Sequence, residues 1–238
     1  QMDTTIDAAA PADAPFEVEI DAPSSECSSG KCRKLAYRPL HSSLFAPCVK
    51  DEWLVDSFVE ALRDGSEKAL RSILHEEVPG RVFSFDMVKP VFAQMLLDEC
   101  EHYEKSGLPI QRPNSMNNYG LIVNQIGMKP LLDDLQQRCL LPFSSLLFPD
   151  EGSSFSAHHS FMVKYRHGED LGLDMHHDDS DVTLNICLGK EFDGATLSFC
   201  GTFGATDHRK HLHTYTHRLG RAVLHLGNHR HGADDIVA

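Results

Sequence analysis

No apolar run in the 238 residues approaches the roughly 18–20 that a membrane-spanning helix needs. The best stretch, around 140–148, is interrupted by Pro142, Ser144 and Ser145, so no membrane role is expected. Paired cysteine motifs are missing: positions 27, 32, 48, 100, 139, 187 and 200 make seven, an odd number, without a CxxC. That usage fits reduced thiols in a cytoplasmic or nuclear setting rather than a disulfide framework. No signal-peptide apolar region is visible, and because Gln1 precedes the first methionine, a native start upstream is expected. A GxGxxG run and any strand–helix–strand alternation are also missing, which argues against a doubly wound nucleotide fold. Positive charge is short, with 22 Lys and Arg against 35 Asp and Glu for a formal charge of −13. Gripping a phosphate backbone by bulk charge is therefore disfavoured. The deficit is uneven, because residues 1–30 hold seven acids and no Lys or Arg, leaving −6 for the rest and room for a local basic groove.

What is present divides into three stretches. Residues 1–35 are rich in Ala, Pro, Ser and acid and are expected to be a disordered acidic tail, since so little apolar surface cannot offset ordering entropy. Residues 36–79 read as a helical N-terminal extension. Trp53, Leu54, Phe58 and Leu62 recur at helical steps behind Asp51 and Glu52, and a second helix fits Ser66–Leu74. Residues 80–238 form the main domain. It starts with a strand at Arg81–Phe85 and a helix from about Asp86 with Pro90 in its first turn. A strand at Tyr119–Asn124 and a helix at Lys129–Leu147 follow. After Pro149 short alternating runs take over at Ser160–Arg166, Asp181–Leu188, Ala195–Phe199 and Arg221–Leu226, separated by Gly, Asp and Asn turns. Helices first and short strands second predict a mainly β sandwich or barrel with N-terminal helices.

Twelve of the fifteen histidines lie between 158 and 231, inside this β half, and imidazole is the commonest metal ligand. In an extended strand residues two apart share a face, so His176 and Asp178 can address one metal. A histidine from a distant strand, His229 or His231, would complete a two-histidine, one-carboxylate face of the kind that suits non-haem Fe(II). His177 and Asp179 form an equally spaced pair on the opposite face, and spacing alone does not choose between the registers.

The run His176 to Phe199 and the run Gly220 to Ala233 together resemble the 2-oxoglutarate- and Fe(II)-dependent oxygenases of the prolyl/lysyl hydroxylase class. The likeness extends through Ser160–Tyr165, Arg112–Gly120 and Arg81–Phe85, so that it covers roughly residues 80–238. The sequence is similar to plant and protist proteins carrying that hydroxylase domain and, more distantly, to the collagen lysyl hydroxylases. The resemblance implies a double-stranded β-helix (jelly-roll) barrel with flanking helices. It places the metal ligands on His176, Asp178 and His231. It also implies that Tyr165 hydrogen-bonds 2-oxoglutarate, with Asn185 and Thr183 as further cosubstrate candidates on the next strand. The implied activity is hydroxylation of a C–H bond, with a lysyl or prolyl side chain of a protein or peptide as the family-level substrate, a small molecule remaining open, and succinate and CO2 as coproducts. L-Ascorbate is implied as the reductant that rescues oxidised iron. Relatives carry an Arg or Lys one short strand after the distal histidine, forming a fork on the far carboxylate of 2-oxoglutarate. No basic residue follows His231 before Ala238, so the domain is expected to lack its last strand. The rival readings are an impaired barrel acting as a binding module, and a cupin-like metal protein that does not use 2-oxoglutarate.

Other polar clusters read more plainly. His208, His211, His213 and His217 with Arg209 and Lys210 form a polar insert, read as a solvated or substrate-facing loop because it lacks the thiolates of structural zinc sites. His158 and His159 read as structural, His75-Glu76-Glu77 as a helix end, and Trp53, Met116, Cys187 and Cys200 as packed residues.

Overall fold

A computed structural model describes residues 17–22 and 34–237. The helical part follows local sequence chemistry closely. Helix α1 (Asp56–Asp64) turns Phe58, Val59 and Ala61 inward and stops at Gly65, whose left-handed φ of +66° is the glycine helix end. Ser66 then caps α2 (Glu67–Ser72) by accepting from the Ala69 N–H. Helix α3 (Pro90–Lys105) begins at Pro90 rather than Asp86, because proline is suited to the first helical position, where no N–H is required. The long apolar stripe at 129–147 becomes α4 (Lys129–Asp134), a π-helical turn at Leu135–Leu140 and α5 (Leu141–Leu147). Pro142, which has no N–H to return to residue 138, sits where the spacing changes.

The strands are β1 (Val18–Asp21), β2 (Lys34–Tyr37), β3 (His75–Val78), β4 (Val82–Asp86), β5 (Gly120–Ile122), β6 (Phe161–Val163), β7 (Leu173–His176), β8 (Val182–Ile186), β9 (Leu197–Thr202), β10 (His213–Tyr215), β11 (Arg221–Leu226) and β12 (His229–Ala233). Among the described residues they form two four-stranded antiparallel sheets, ordered β3-β4-β11-β8 and β10-β9-β12-β7, and the two-stranded pairs β1-β2 and β5-β6. The strands β4 and β11 are buried on both faces for a structural reason. Phe83, Phe85, Ala222 and Leu224 meet the helices, whereas Val82 and Val223 meet Leu197, Phe199, Tyr215 and Ala233 of the other sheet. On the helical side Phe58, Phe85 and Phe143 stack with centroids 5.1–5.7 Å apart, and Trp53 stacks on Phe92 at 5.0 Å.

Four expectations need correction. The tail is not uniformly unstructured, because Val18–Asp21 pairs with Lys34–Tyr37 and the Ile20 side chain packs over Gly127 beside Phe45. The Val18, Ile20 alternation is a strand signal that the surrounding acidic composition hid. Residues 1–16 and 23–33 of that predicted tail lie outside the described residues. The boundary drawn between 79 and 80 falls inside the β3–β4 hairpin, so the helical extension and the β domain share a sheet. His75-Glu76-Glu77 is accordingly a strand, not a helix end. Met116 is 41% exposed and no core residue, whereas Trp53, Cys187 and Cys200 are buried as expected. The thiols at 48, 100, 139, 187 and 200 are free, and among the described residues no helix is long and apolar enough to cross a membrane.

The aromatic stack is the joint between helices and sheet, and truncating its fully buried centre leaves a cavity that rigid rings do not fill. Phe143→Ala is expected to cost about 3–5 kcal/mol, read as a lowered urea midpoint at unchanged slope.

Candidate metal centre

The site forms where β12 runs between β7 and β9. His231 and His176 are direct cross-strand partners. Between His231 and Ala233 on one strand and Leu173 and His176 on the other, β7 carries one residue more than β12. Such a bulge reverses the facing of the residues beyond it, so Leu173 packs in the inter-sheet core while His176 also turns toward His231. A matching bulge on β9 lies opposite His229–His231. There Gly201 is required, because a Cβ would lie 2.3 Å from the Asp207 carbonyl oxygen. Asp178 follows β7 and is anchored by its N–H donating to the Gly227 carbonyl at 2.9 Å.

These constraints converge three ligand atoms. One from each of His176, Asp178 and His231 lies within 4.8 Å of the others, the one such grouping among the described residues. Asp178 Oδ1 is 3.3 Å from His176 Nε2, and Oδ2 is 3.6 Å from His231 Nε2. The His176 Nδ1 lies 2.8 Å from the Asp174 carbonyl oxygen and the His231 Nδ1 2.9 Å from that of His229. A carbonyl oxygen only accepts, so each Nδ1 carries a proton; Nε2 of the neutral ring is then the free ligating atom, and in the protonated ring Nε2–H of His176 donates to Asp178. The Asp178 carboxylate is held by the Thr183 hydroxyl, which donates to Oδ2 at 2.5 Å and accepts from Ser180 at 2.8 Å.

Electrostatics suit a cation. Burial works against the Asp178 charge, but the His176 hydrogen bond, His231 and Thr183 outweigh it and hold the carboxyl well below the usual carboxylate range. Burial lowers His231 below the ordinary imidazole value, against the opposing pull of Asp178. His176 is also desolvated, yet its contacts with Asp178 and the Asp174 carbonyl raise it on balance. Two imidazole nitrogens and one carboxylate on a common face are a donor set that fits Fe(II).

The structure also separates the two registers that spacing left open. His177 and Asp179 are exposed, and His177 stacks on Phe203 at 4.8 Å. His229 is buried with its Nε2 unpartnered, and it is His231 that faces Asp178. Of the residues expected to serve a cosubstrate, Thr183 meets Asp178 directly. Asn185 instead donates to His225 Nε2 at 3.3 Å. Tyr165 packs on the inter-sheet cluster that contains Phe199, whose ring lies 5.9 Å from that of His231. Burial pushes the Tyr165 hydroxyl up to about 12 against the effect of the neighbouring Asn117 amide, so it is a neutral donor. His158 and His159 bond Asp133, Ser160 and the Pro113 carbonyl, as structural residues do.

Two polar groups escaped the sequence reading. His225 is fully buried between the sheets, and the alternation Arg221, Val223, His225 against Ala222, Leu224 was the signal that could have found it. Glu77 is the extra residue of a bulge in β3. It turns inward to accept from Ser84 and to pair with His213 at 3.1 Å, while Arg221 donates to Ser84 at 2.7 Å and to Asp86 at 3.1 Å. His213 thus ties the predicted solvated insert to the opposite sheet.

The buried imidazoles set an acid limit on the fold. Burial foremost lowers His225 to about 3 and His229 to about 4, from an ordinary value of 6.5. Between those limits the unfolded chain binds protons that the folded chain refuses. The stability that keeping these two rings neutral contributes is therefore complete above about pH 6.5 and lost as pH falls toward 4. Melting temperatures between pH 7 and 4.5 should drop, and the drop should be shallower in His229→Gln.

A family model described as an OGFOD2-like domain matches residues 34–153, a span that crosses the β3–β4 hairpin and ends before the metal trio. The Arabidopsis thaliana 2-oxoglutarate and iron-dependent oxygenase domain-containing protein CP2 is 39% identical over 211 residues, covering 83% of this chain and 52% of its own length. The Mus musculus 2-oxoglutarate and iron-dependent oxygenase domain-containing protein 2 is 35% identical over 209 residues, covering 83% and 59%. The Rattus norvegicus procollagen-lysine,2-oxoglutarate 5-dioxygenase 1 is 24% identical over 180 residues, 71% of this chain and 24% of its own. The chain thus spans between half and three fifths of the first two relatives. With half of its residues under the family model and relatives of 35–39% identity covering 83% of it, the chain belongs to the OGFOD2-like family.

Proposed function

We propose that this chain is a 2-oxoglutarate- and Fe(II)-dependent dioxygenase that hydroxylates a C–H bond, converting 2-oxoglutarate and O2 to succinate and CO2 as the hydroxyl is installed. The observation that carries this reading is the convergence of His176, Asp178 and His231 within 4.8 Å, with both Nδ1 atoms already tied to carbonyl oxygens. The names of the relatives support the same activity.

His176, Asp178 and His231 would hold the iron. Bound Fe(II), with 2-oxoglutarate and O2, supplies the oxidising power that replaces a C–H bond by C–OH. The protein residues orient and protect. Thr183 keeps Asp178 in one rotamer and anionic, and the two backbone carbonyls hold the imidazoles in the ligating tautomer. The neutral Tyr165 hydroxyl is the proposed donor to 2-oxoglutarate. Thr183 serves the cosubstrate through Asp178, the ligand it orients, and Asn185 is engaged with His225 beside His231. Phe199, Leu197, Val223 and Ala233 form an apolar wall that keeps water from the reacting groups. The two facing sheets are read as the halves of a double-stranded β-helix. A lysyl or prolyl side chain is the proposed substrate, in keeping with the distant likeness to the procollagen-lysine enzyme, and ascorbate the proposed reductant. The free thiols favour a cytoplasmic or nuclear setting.

An anaerobic titration with Fe(II) and then 2-oxoglutarate tests the reading. A visible charge-transfer band is expected in the parent chain and absent from His176→Ala and His231→Ala. Iron uptake without a band on adding 2-oxoglutarate would reject use of that cosubstrate, and no uptake would reject the metal centre. Thr183→Val is expected to weaken Fe(II) binding about 10-fold by freeing Asp178, measured in the same titration.

A further inference from the structure

We infer that His225 is a positioning residue for the metal centre: with Asn185 behind it, its buried ring holds the His231 imidazole in the ligating orientation. The inference rests on the metal-binding reading above and extends it to residues that touch neither metal nor substrate.

The position itself is informative. His225 lies on β11, where Ala222 and Leu224 face the helices and the alternate side chains face the second sheet. It is fully buried there, a place where a leucine or phenylalanine would serve packing without further demands. A buried polar ring costs about 1–3 kcal/mol if left unpaired, and here both nitrogens are occupied. Nδ1–H donates to the Leu226 carbonyl at 2.8 Å, and Nε2 accepts from the Asn185 amide at 3.3 Å. The ring therefore has one orientation.

That orientation sets its edge against His231. The centroids are 4.5 Å apart with planes at 63°, closer than the contacts of His225 with Phe199 at 5.3 Å or His229 at 6.3 Å. His231 has a single hydrogen bond of its own, from Nδ1–H to the His229 carbonyl, which leaves a rocking motion about the ring axis. Phe199 lies along one side of it and His225 closes another. Strand register makes the arrangement systematic. Thr183 and His225 are direct partners across β8 and β11, and each addresses one ligand: Thr183 bonds Asp178, and His225 abuts His231. One sheet supplies the two histidine ligands, and the other supplies the pair that steadies the carboxylate and the distal imidazole.

Co(II) binding to the full chain provides the test, because Nδ1–H protons of cobalt-ligated imidazoles give resolved hyperfine-shifted resonances. The parent should show one for His176 and one for His231, told apart by nuclear Overhauser contacts, that of His231 being the one beside the Phe199 and His225 rings. In His225→Phe the Co(II) affinity should fall about 10–100-fold, and the His231 resonance should move or vanish by exchange while that of His176 stays. Asn185→Ala should do the same to a smaller degree and add nothing to His225→Phe, since it acts through that ring. His225→Gln, which keeps an acceptor for Asn185, carries the same two readouts if the phenylalanine variant does not fold. A folded His225 variant with parental affinity and both resonances in place overturns the inference, as does an equal shift of both resonances, the mark of a general packing change. A parent chain that binds no Co(II) overturns the metal centre itself, a result distinct from failure of His225 alone.

Discussion

The pairing of His231 with His176 across β12 and β7 is the contact on which the rest of the centre depends. It exists because each strand flanking β12 carries one residue too many. Without the bulge in β7, strand alternation would put His176 and Leu173 on opposite faces, and either the core or the candidate metal trio would lose a member. The glycines at 201 and 227 belong to the same constraint. Gly201 admits the Asp207 carbonyl beside the β9 bulge, and Gly227 admits the Ser180 carbonyl beside the turn that anchors Asp178.

The two sheets have unequal duties. The sheet β10-β9-β12-β7 carries His176 and His231, while β3-β4-β11-β8 is covered by the helices on one face and presents polar side chains at chosen places on the other. Thr183 and His225 meet the centre, and Glu77, Ser84 and Arg221 form a second buried network that reaches His213 on the opposite sheet. Burying such charges is tolerable only because each is paired, and removing one partner from a buried pair typically costs about 3–5 kcal/mol. The network therefore joins the sheets at a specific register, where an apolar contact would tolerate sliding.

Much of this arrangement was legible in the sequence, and the parts that were not have common causes. The helices at 56–64, 67–72, 90–105 and 129–147 announce themselves through apolar steps of three and four, and the strands at 182–186 and 221–226 through alternation. The strands His75–Val78, Leu173–His176, His213–Tyr215 and His229–Ala233 were harder. They are rich in charged or imidazole side chains, and bulges in three of the pairings they make break the period-two pattern. Val18–Asp21 was missed because four residues in an acidic stretch barely shift the local composition.

Local patterning was enough for the mainly β class with leading helices, and the family resemblance pointed to His176, Asp178 and His231. Periodicity and chemically typed residues are local properties, readable without contacts. It took the folded sheets to bring these three side chains together, to leave His177, Asp179 and His229 aside, and to engage Asn185 with His225. Those outcomes depend on bulge positions and on pairing between strands more than fifty residues apart in the chain. Backbone hydrogen bonding across a sheet is set by where partners meet in space, and no local pattern encodes it.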